Sequence, residues 1–70
     1  MQATLIQELI QKNGPFRIET AAGRVFDIPH RDFVSLSPTK AALFVWYQEN
    51  DGDHFAVVPL LTITSAMTQI

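Results

Sequence analysis

The sequence contains no cysteine, which excludes disulfide bonds and thiolate metal sites. Its two histidines, His30 and His54, stand apart and, with only carboxylates to assist them, make a poor structural zinc set. We therefore expect neither a metal nor another cofactor. A chain of 70 residues buries only about 60% of the surface of its unfolded form, so small domains commonly need disulfides, metals or oligomerisation. Oligomerisation remains, and we predict a homo-oligomer.

Basic residues are missing from position 41 to the end of the chain. The formal net charge is −2 and the isoelectric point is about 5.4. A nucleic-acid surface needs cations that neutralise phosphates. Nucleic acid is therefore not the expected partner. The basic residues of the chain are Lys12, Arg17, Arg24, Arg31 and Lys40.

Long apolar runs are also missing, because no stretch approaches the ~20 apolar residues that a membrane-spanning helix needs. Residues 1–13 lack the basic start and the apolar core of a signal peptide. We expect a cytoplasmic protein without a membrane partner. Yet 47% of the residues are hydrophobic and the mean hydropathy is +0.12. A small domain has too little interior for all of them, and contiguous apolar surface commonly marks an interface.

The N-terminal segment has the period of an amphipathic helix, which we predict over residues 4–12. Thr4 and Gln7 have the spacing of a capping box, and Asn13-Gly14-Pro15 is a strong stop signal. A helix of this length is not stable alone, so its apolar face should dock on the rest of the domain. That face consists of Leu5, Ile6, Leu9 and Ile10.

The remainder of the chain has the short alternating runs and turn signals of antiparallel strands. Gly23 supplies the positive φ of a hairpin turn, and Pro29 marks a bend, bulge or edge. The last run is a short strand or a 3₁₀ turn followed by a strand. We predict a single mainly β domain, residues 1–70, in which the helix precedes a five-stranded, strongly bent antiparallel sheet or small barrel over residues 15–70. Its strands are residues 16–20, 24–36 with a bend, 41–47, 54–58 and 60–67.

The run at residues 41–47 is apolar on both faces, which is typical of a strand that is covered on both sides. In a small barrel only one face of each strand points inward. The outer face then requires a cover, either the helix or another subunit. We predict an interface that includes Phe44, Trp46, Val57 and Leu61.

Three segments resemble a group of small uncharacterised bacterial proteins. They are Pro15-Phe16-Arg17-Ile18, Gly23-Arg24, and Ile28-Pro29-His30-Arg31-Asp32-Phe33. The resemblance extends over roughly residues 5–63. The group carries no established activity, so the resemblance implies little about function.

The predicted order of elements is also similar to the Sm-like fold, and most similar in length and layout to the bacterial Sm-like RNA chaperone; an SH3-like barrel has a related architecture. The Sm-like resemblance implies a ring, joined through the fourth and fifth strands of neighbouring subunits, that binds RNA around its pore. Two features depart from it: Pro29 interrupts the long second strand, and residues 57–61 are apolar where the family has an aromatic or cationic turn. Phosphate contacts would fall to Arg17, Arg24, Arg31 and Lys40.

Polar residues that could carry chemistry have plainer interpretations. The string His30-Arg31-Asp32 suggests either acid–base work or a polar bend, and we favour the bend. Glu49, Asp51 and Asp53 fit a solvated hairpin tip better than a cation loop. The sequence has no nucleophile elbow or glycine-rich phosphate loop, so we expect no enzyme. We predict a non-enzymatic, homo-oligomeric structural or interaction module, with peptide contact at a strand edge as one mode. The alternative is an Sm-like RNA-binding ring.

Overall fold

The structure is a computed structural model that describes residues 1–68. The helix predicted over residues 4–12 is confirmed, shifted by one residue, as α1 (Ala3–Gln11). Two short 3₁₀ turns occupy Arg31–Phe33 and Leu60–Thr62. The strands of residues 1–68 are β1 (Phe16–Thr20), β2 (Val25–Ile28), β3 (Val34–Leu36), β4 (Ala42–Glu49), β5 (Gly52–Pro59) and β6 (Ile63–Thr68).

These six strands form two three-stranded antiparallel sheets. In the first sheet β1 lies between β2 and β6, and in the second β4 lies between β3 and β5. The mainly β class with one N-terminal helix is confirmed. The prediction of five strands in one bent sheet or small barrel is wrong, because residues 1–68 form six strands in two sheets and do not close into a barrel. Positions 69 and 70 of the predicted barrel lie outside the described residues.

The sixth strand arises at Pro29, where the predicted strand of residues 24–36 divides in two. β2 ends at Ile28, because a proline lacks the N–H that a ladder needs. The chain then turns: the backbone N–H of Phe33 donates to the carbonyl of His30 at 3.0 Å, within the first 3₁₀ turn. β3 begins at Val34 and pairs with β4 rather than continuing the first sheet. One bent strand has become two strands in two sheets.

The two hairpins follow from residues that accept a positive φ. Gly23 has φ 82°, and its N–H donates to the Thr20 carbonyl at 2.9 Å, which confirms the predicted turn. Between β4 and β5, Asn50 and Asp51 both have a positive φ, 54° and 62°, as a two-residue type I′ turn requires. The loop predicted over residues 48–53 is therefore shorter than expected, because the strands reach almost to its tip.

The helix and both sheets contribute to one hydrophobic core. Ile6 is the fully buried residue of the predicted helical stripe, whereas Leu9 and Ile10 are half-buried against the core and Leu5 is 48% exposed. The helix therefore docks as predicted, but through a narrower face. The core consists of Ile6, Phe16, Ile18, Phe26, Ile28, Val34, Leu43, Val45, Val58, Leu60 and Ile63.

Of the two predicted helix-end signals, only the C-terminal stop is found in the structure. Gln2 is the residue that precedes the first turn, and it makes no side-chain capping bond, so the capping box of Thr4 and Gln7 is wrong. The helix starts two residues too early for Thr4 to act as a cap, because Thr4 is the second residue of α1. At the other end Asn13 takes φ 59°, which ends the helix where the stop signal predicted. Nothing helical within residues 1–68 has the length and hydropathy that crossing a bilayer requires.

Candidate interaction surface

The second sheet turns one face to the core and the other face to solvent. Side chains alternate along a strand, so every second residue of β4 points the same way. Leu43 and Val45 are fully buried on the inner face. Phe44 lies between these two residues in the sequence and Trp46 follows Val45, so both Phe44 and Trp46 lie on the outer face. The β4–β5 register pairs Phe44 with Val57 and Trp46 with Phe55.

These two neighbouring cross-strand pairs form one apolar cluster, which we name the outer patch: Phe44, Trp46, Phe55 and Val57. The Phe55 ring lies 5.0 Å from the Trp46 ring and 5.7 Å from the Phe44 ring, centroid to centroid. Such distances are those of aromatic pairs in contact. Trp46 is 44% exposed, Phe55 53% and Val57 56%, so the rings touch one another and leave much of their surface in water.

Phe33 extends the outer patch toward β3. Val34 pairs with Val45, so the register places Phe33 beside Trp46. The two residues line one open cavity of about 310 Å³. A phenylalanine such as Phe33 can anchor a partner at the surface or, more often, plug one end of a barrel. Its side chain is more than one-third exposed, which agrees with a surface position.

The structure brings together three of the four predicted interface residues. Phe44, Trp46 and Val57 share the outer patch, whereas Leu61 lies beyond the end of β5 in the second 3₁₀ turn and is 95% exposed. Sequence reasoning missed Phe55, the residue that contacts both aromatic rings of β4. The alternation of the β5 sequence contained that signal, since Phe55 and Val57 are two positions apart.

Two of the four candidate phosphate contacts are engaged by carboxylates. Arg17 Nε donates to Asp27 Oδ1 at 2.7 Å, and this bond raises the pKa of Arg17 above its ordinary value. Arg24 Nη2 lies 3.4 Å from Glu49 Oε2. Its guanidinium also stacks over two rings, Phe26 at 5.0 Å and Tyr47 at 5.3 Å. Tyr47 in turn stacks on the ring of His54 at 5.3 Å.

The other two candidate cations, Arg31 and Lys40, make no ion pair within residues 1–68. Arg31 lies in the first 3₁₀ turn, and Lys40 lies in the turn before β4 with φ 60°. Arg31 precedes β3 and Lys40 precedes β4. Because these two strands are antiparallel, their first residues lie at opposite ends of the sheet. The two free cations are thus at different ends of the second sheet.

The string His30-Arg31-Asp32 forms a turn. His30 Nδ1 accepts a hydrogen bond from the backbone N–H of Asp32 at 3.2 Å and lies 3.3 Å from its carboxylate. The side chain that accepts is therefore that of His30. Both side chains are well exposed. The geometry is that of a local cap on a 3₁₀ turn, the plainer of the two interpretations.

The acidic residues at the tip of the β4–β5 hairpin do not converge. Glu49 faces Arg24, and Asp53 accepts a hydrogen bond from Gln48 at 3.1 Å. Asp51 occupies the turn itself. Within residues 1–68 no group of three or more His, Cys, Asp or Glu residues could hold a metal ion.

An apolar groove lies between the edge strands of the two sheets. It has a volume of about 490 Å³ and its lining includes Phe26 from β2 and Ala56–Pro59 from β5. The backbone edge of β5 that faces away from β4 borders it. An extended peptide can add to a sheet at a free strand edge of this kind, the general mode that the sequence analysis named without a location.

Comparison with protein-family models finds no match for this chain, and comparisons with curated proteins and with solved structures find none either. What the protein does is therefore inferred from its own residues and contacts.

Proposed function

We propose that this protein is a small, non-enzymatic interaction module that associates with further copies of itself through the outer patch. The observation that carries the proposal is the pair of adjacent apolar cross-strand rows, Phe44–Val57 and Trp46–Phe55, on the solvent side of a three-stranded sheet. Soluble monomers rarely expose contiguous apolar surface of this kind, and aromatic residues are enriched at interfaces.

The size of the domain favours the same proposal. Stable interfaces bury about 800 Å² on each partner, which is about one-sixth of the 4672 Å² that this chain exposes. One face of a three-stranded sheet with its flanking turns can supply that area. A large aromatic side chain buries about 150–250 Å² in all, and about half of the surface of Trp46 and Phe55 is still exposed for association. Association would thus supply the apolar burial that a small domain without disulfides lacks.

The Sm-like RNA ring receives less support from the same structure. Arg17 and Arg24 are paired with carboxylates, which compete with phosphate for the guanidinium groups. Arg31 and Lys40 belong to turns at different ends of the second sheet. An RNA surface requires several cations on one face, because affinity grows with the number of phosphates neutralised.

A sedimentation-velocity series at micromolar concentrations tests the proposal. We expect a species heavier than the 7.9 kDa chain that dissociates on dilution. Trp46 is the chain's one tryptophan, so its emission should shift to shorter wavelength as association covers it. A stable 7.9 kDa monomer throughout the series would contradict the proposal.

A matched pair of variants locates the surface. Val57 in the outer patch and Val25 in the other sheet are both valines of edge strands and are about half exposed. Val57→Asp should dissociate the oligomer, because it places a charge in an apolar contact, whereas Val25→Asp should leave the mass unchanged. The reverse outcome would move the interface to the first sheet.

Binding to RNA separates the two candidate functions. We expect short A-rich or U-rich RNA to bind no more tightly than about 10 μM near physiological salt, weaker than typical specific complexes. Fluorescence anisotropy provides the measurement. Submicromolar binding that weakens when Arg24 or Arg31 is replaced by alanine would favour the RNA ring instead.

A further inference from the structure

The two ends of the outer patch differ in net charge, because Arg31, in the turn beside the acidic end, is offset by its neighbour Asp32. At one end lies the β4–β5 hairpin tip, with Asp51 in the turn and Asp53 in register with Gln48 on the outer face. At the other end lies Lys40, in the turn that leads into β4. The eight residues of β4 separate these ends by about 25 Å, given a rise of about 3.4 Å per residue. The apolar rows lie between them.

This difference in charge between the two ends favours a second copy of the same chain as the binding partner of the outer patch. Resting on the proposed function, we propose that the outer patch binds a second copy of the same chain face to face, with the β4 strands of the two copies antiparallel. A two-fold axis that lies in the interface and runs across the strands produces this arrangement. It places Lys40 of each copy opposite the acidic tip, Asp51 and Asp53, of the other copy.

The alternative face-to-face arrangement has its two-fold axis along the strands. That axis would place Lys40 of one copy over Lys40 of the other, and acidic tip over acidic tip. Like charges set against each other disfavour a pairing, and opposite charges fix its direction. The antiparallel arrangement forms the complementary charge contact twice, because a two-fold interface repeats every contact.

The shapes of the apolar rows favour the same direction. An axis across the strands that passes between the two rows exchanges them. The bulky Trp46–Phe55 row of one copy then lies over the smaller Phe44–Val57 row of its partner. Large side chains facing smaller ones interdigitate better than two bulky rows facing each other. Stacked sheets lie about 10 Å apart, a distance that such side chains fill.

A charge-exchange experiment tests this arrangement. Lys40→Glu sets like charges against each other at both symmetric contacts, and so does the double variant Asp51→Lys with Asp53→Lys. Each variant alone should weaken the dimer about tenfold or more at low salt, and the loss should shrink as salt screens the charges. An equimolar mixture of the two variants should recover the wild-type affinity as a heterodimer, because both of its contacts are complementary. Lys12→Glu, the same change at the exposed C-terminal end of α1, should leave the dimer unchanged.

The outcomes distinguish this inference from the proposed function. If the wild type is a monomer at all concentrations, the self-association proposal fails, and the inference fails with it. If the wild type associates but the mixture recovers nothing, the antiparallel arrangement is wrong while the interaction module stands. If Lys40→Glu pairs preferentially with wild type, the copies are parallel. Native mass spectrometry of the mixtures, with sedimentation for the dissociation constants, measures all three.

Discussion

Replacing Ile6 by alanine should lower the free energy of unfolding by about 2–5 kcal/mol, the cost of truncating a fully buried aliphatic side chain. Ile6 has no exposed surface and is the point at which α1 enters the core. A helix of nine residues does not persist in water without packing. Loss of this contact should therefore loosen the whole helix, and urea denaturation followed by circular dichroism measures the change.

Leu5→Ala is the matched control in the same turn of the helix. Leu5 is about half exposed, so the same kind of truncation removes much less buried surface there. We expect a change well below that of Ile6→Ala, because exposed positions that make few contacts rarely cost more than about 0.5 kcal/mol. Equal losses at both positions would mean that the helix rolls on the sheets and buries a broader stripe.

The helix shows which structural features periodicity alone predicts and which it does not. The spacing of four apolar residues identified the helix and its apolar face to within one residue at each end. It did not rank them, because Leu5, Ile6, Leu9 and Ile10 all lie within a single broad arc. Which of them points at the core depends on the roll of the helix, and that is fixed by the partner surface rather than by the helix sequence.

The strands show the same division between local and tertiary information. Alternation and turn residues located β1, the Gly23 turn and β4 correctly. The division of residues 24–36 between two sheets was missed, since Pro29 allowed a bend, a bulge or an edge and the sequence did not choose among them. The choice depends on the first 3₁₀ turn and its His30 cap, a local bond with no periodic signature.

The outer patch was partly predictable from the alternation of side chains along β4. Two apolar faces on β4 indicated an external cover, and three of the four predicted residues lie in the patch. Phe55 was missed, although alternation along β5 places it on the same face as Val57, which was predicted. The predicted loop of residues 48–53 is two residues long in the structure, at Asn50 and Asp51. The β4–β5 register pairs Trp46 with Phe55 and completes the cluster.

The two faces of β4 should respond differently to truncation when protein concentration is varied. Leu43, on the inner face, is fully buried within the protomer, so Leu43→Ala should cost about 2–5 kcal/mol at every concentration. Trp46, on the outer face, is nearly half exposed in the single chain. An interface that forms only between folded copies stabilises them by mass action, so the wild-type midpoint of thermal unfolding should rise with concentration. Trp46→Ser should abolish that rise.

Calorimetry of both variants over a wide concentration range makes the comparison. For Leu43→Ala we expect a lower midpoint that still rises with concentration, because the outer patch is intact. For Trp46→Ser we expect a midpoint near that of the dilute wild type and independent of concentration, since the lost contacts lie between copies rather than within one. A Trp46→Ser variant that is destabilised in the dilute limit as strongly as Leu43→Ala would place this ring in the protomer's own core. The outer patch would then be part of the folding of one chain and not a surface for a second.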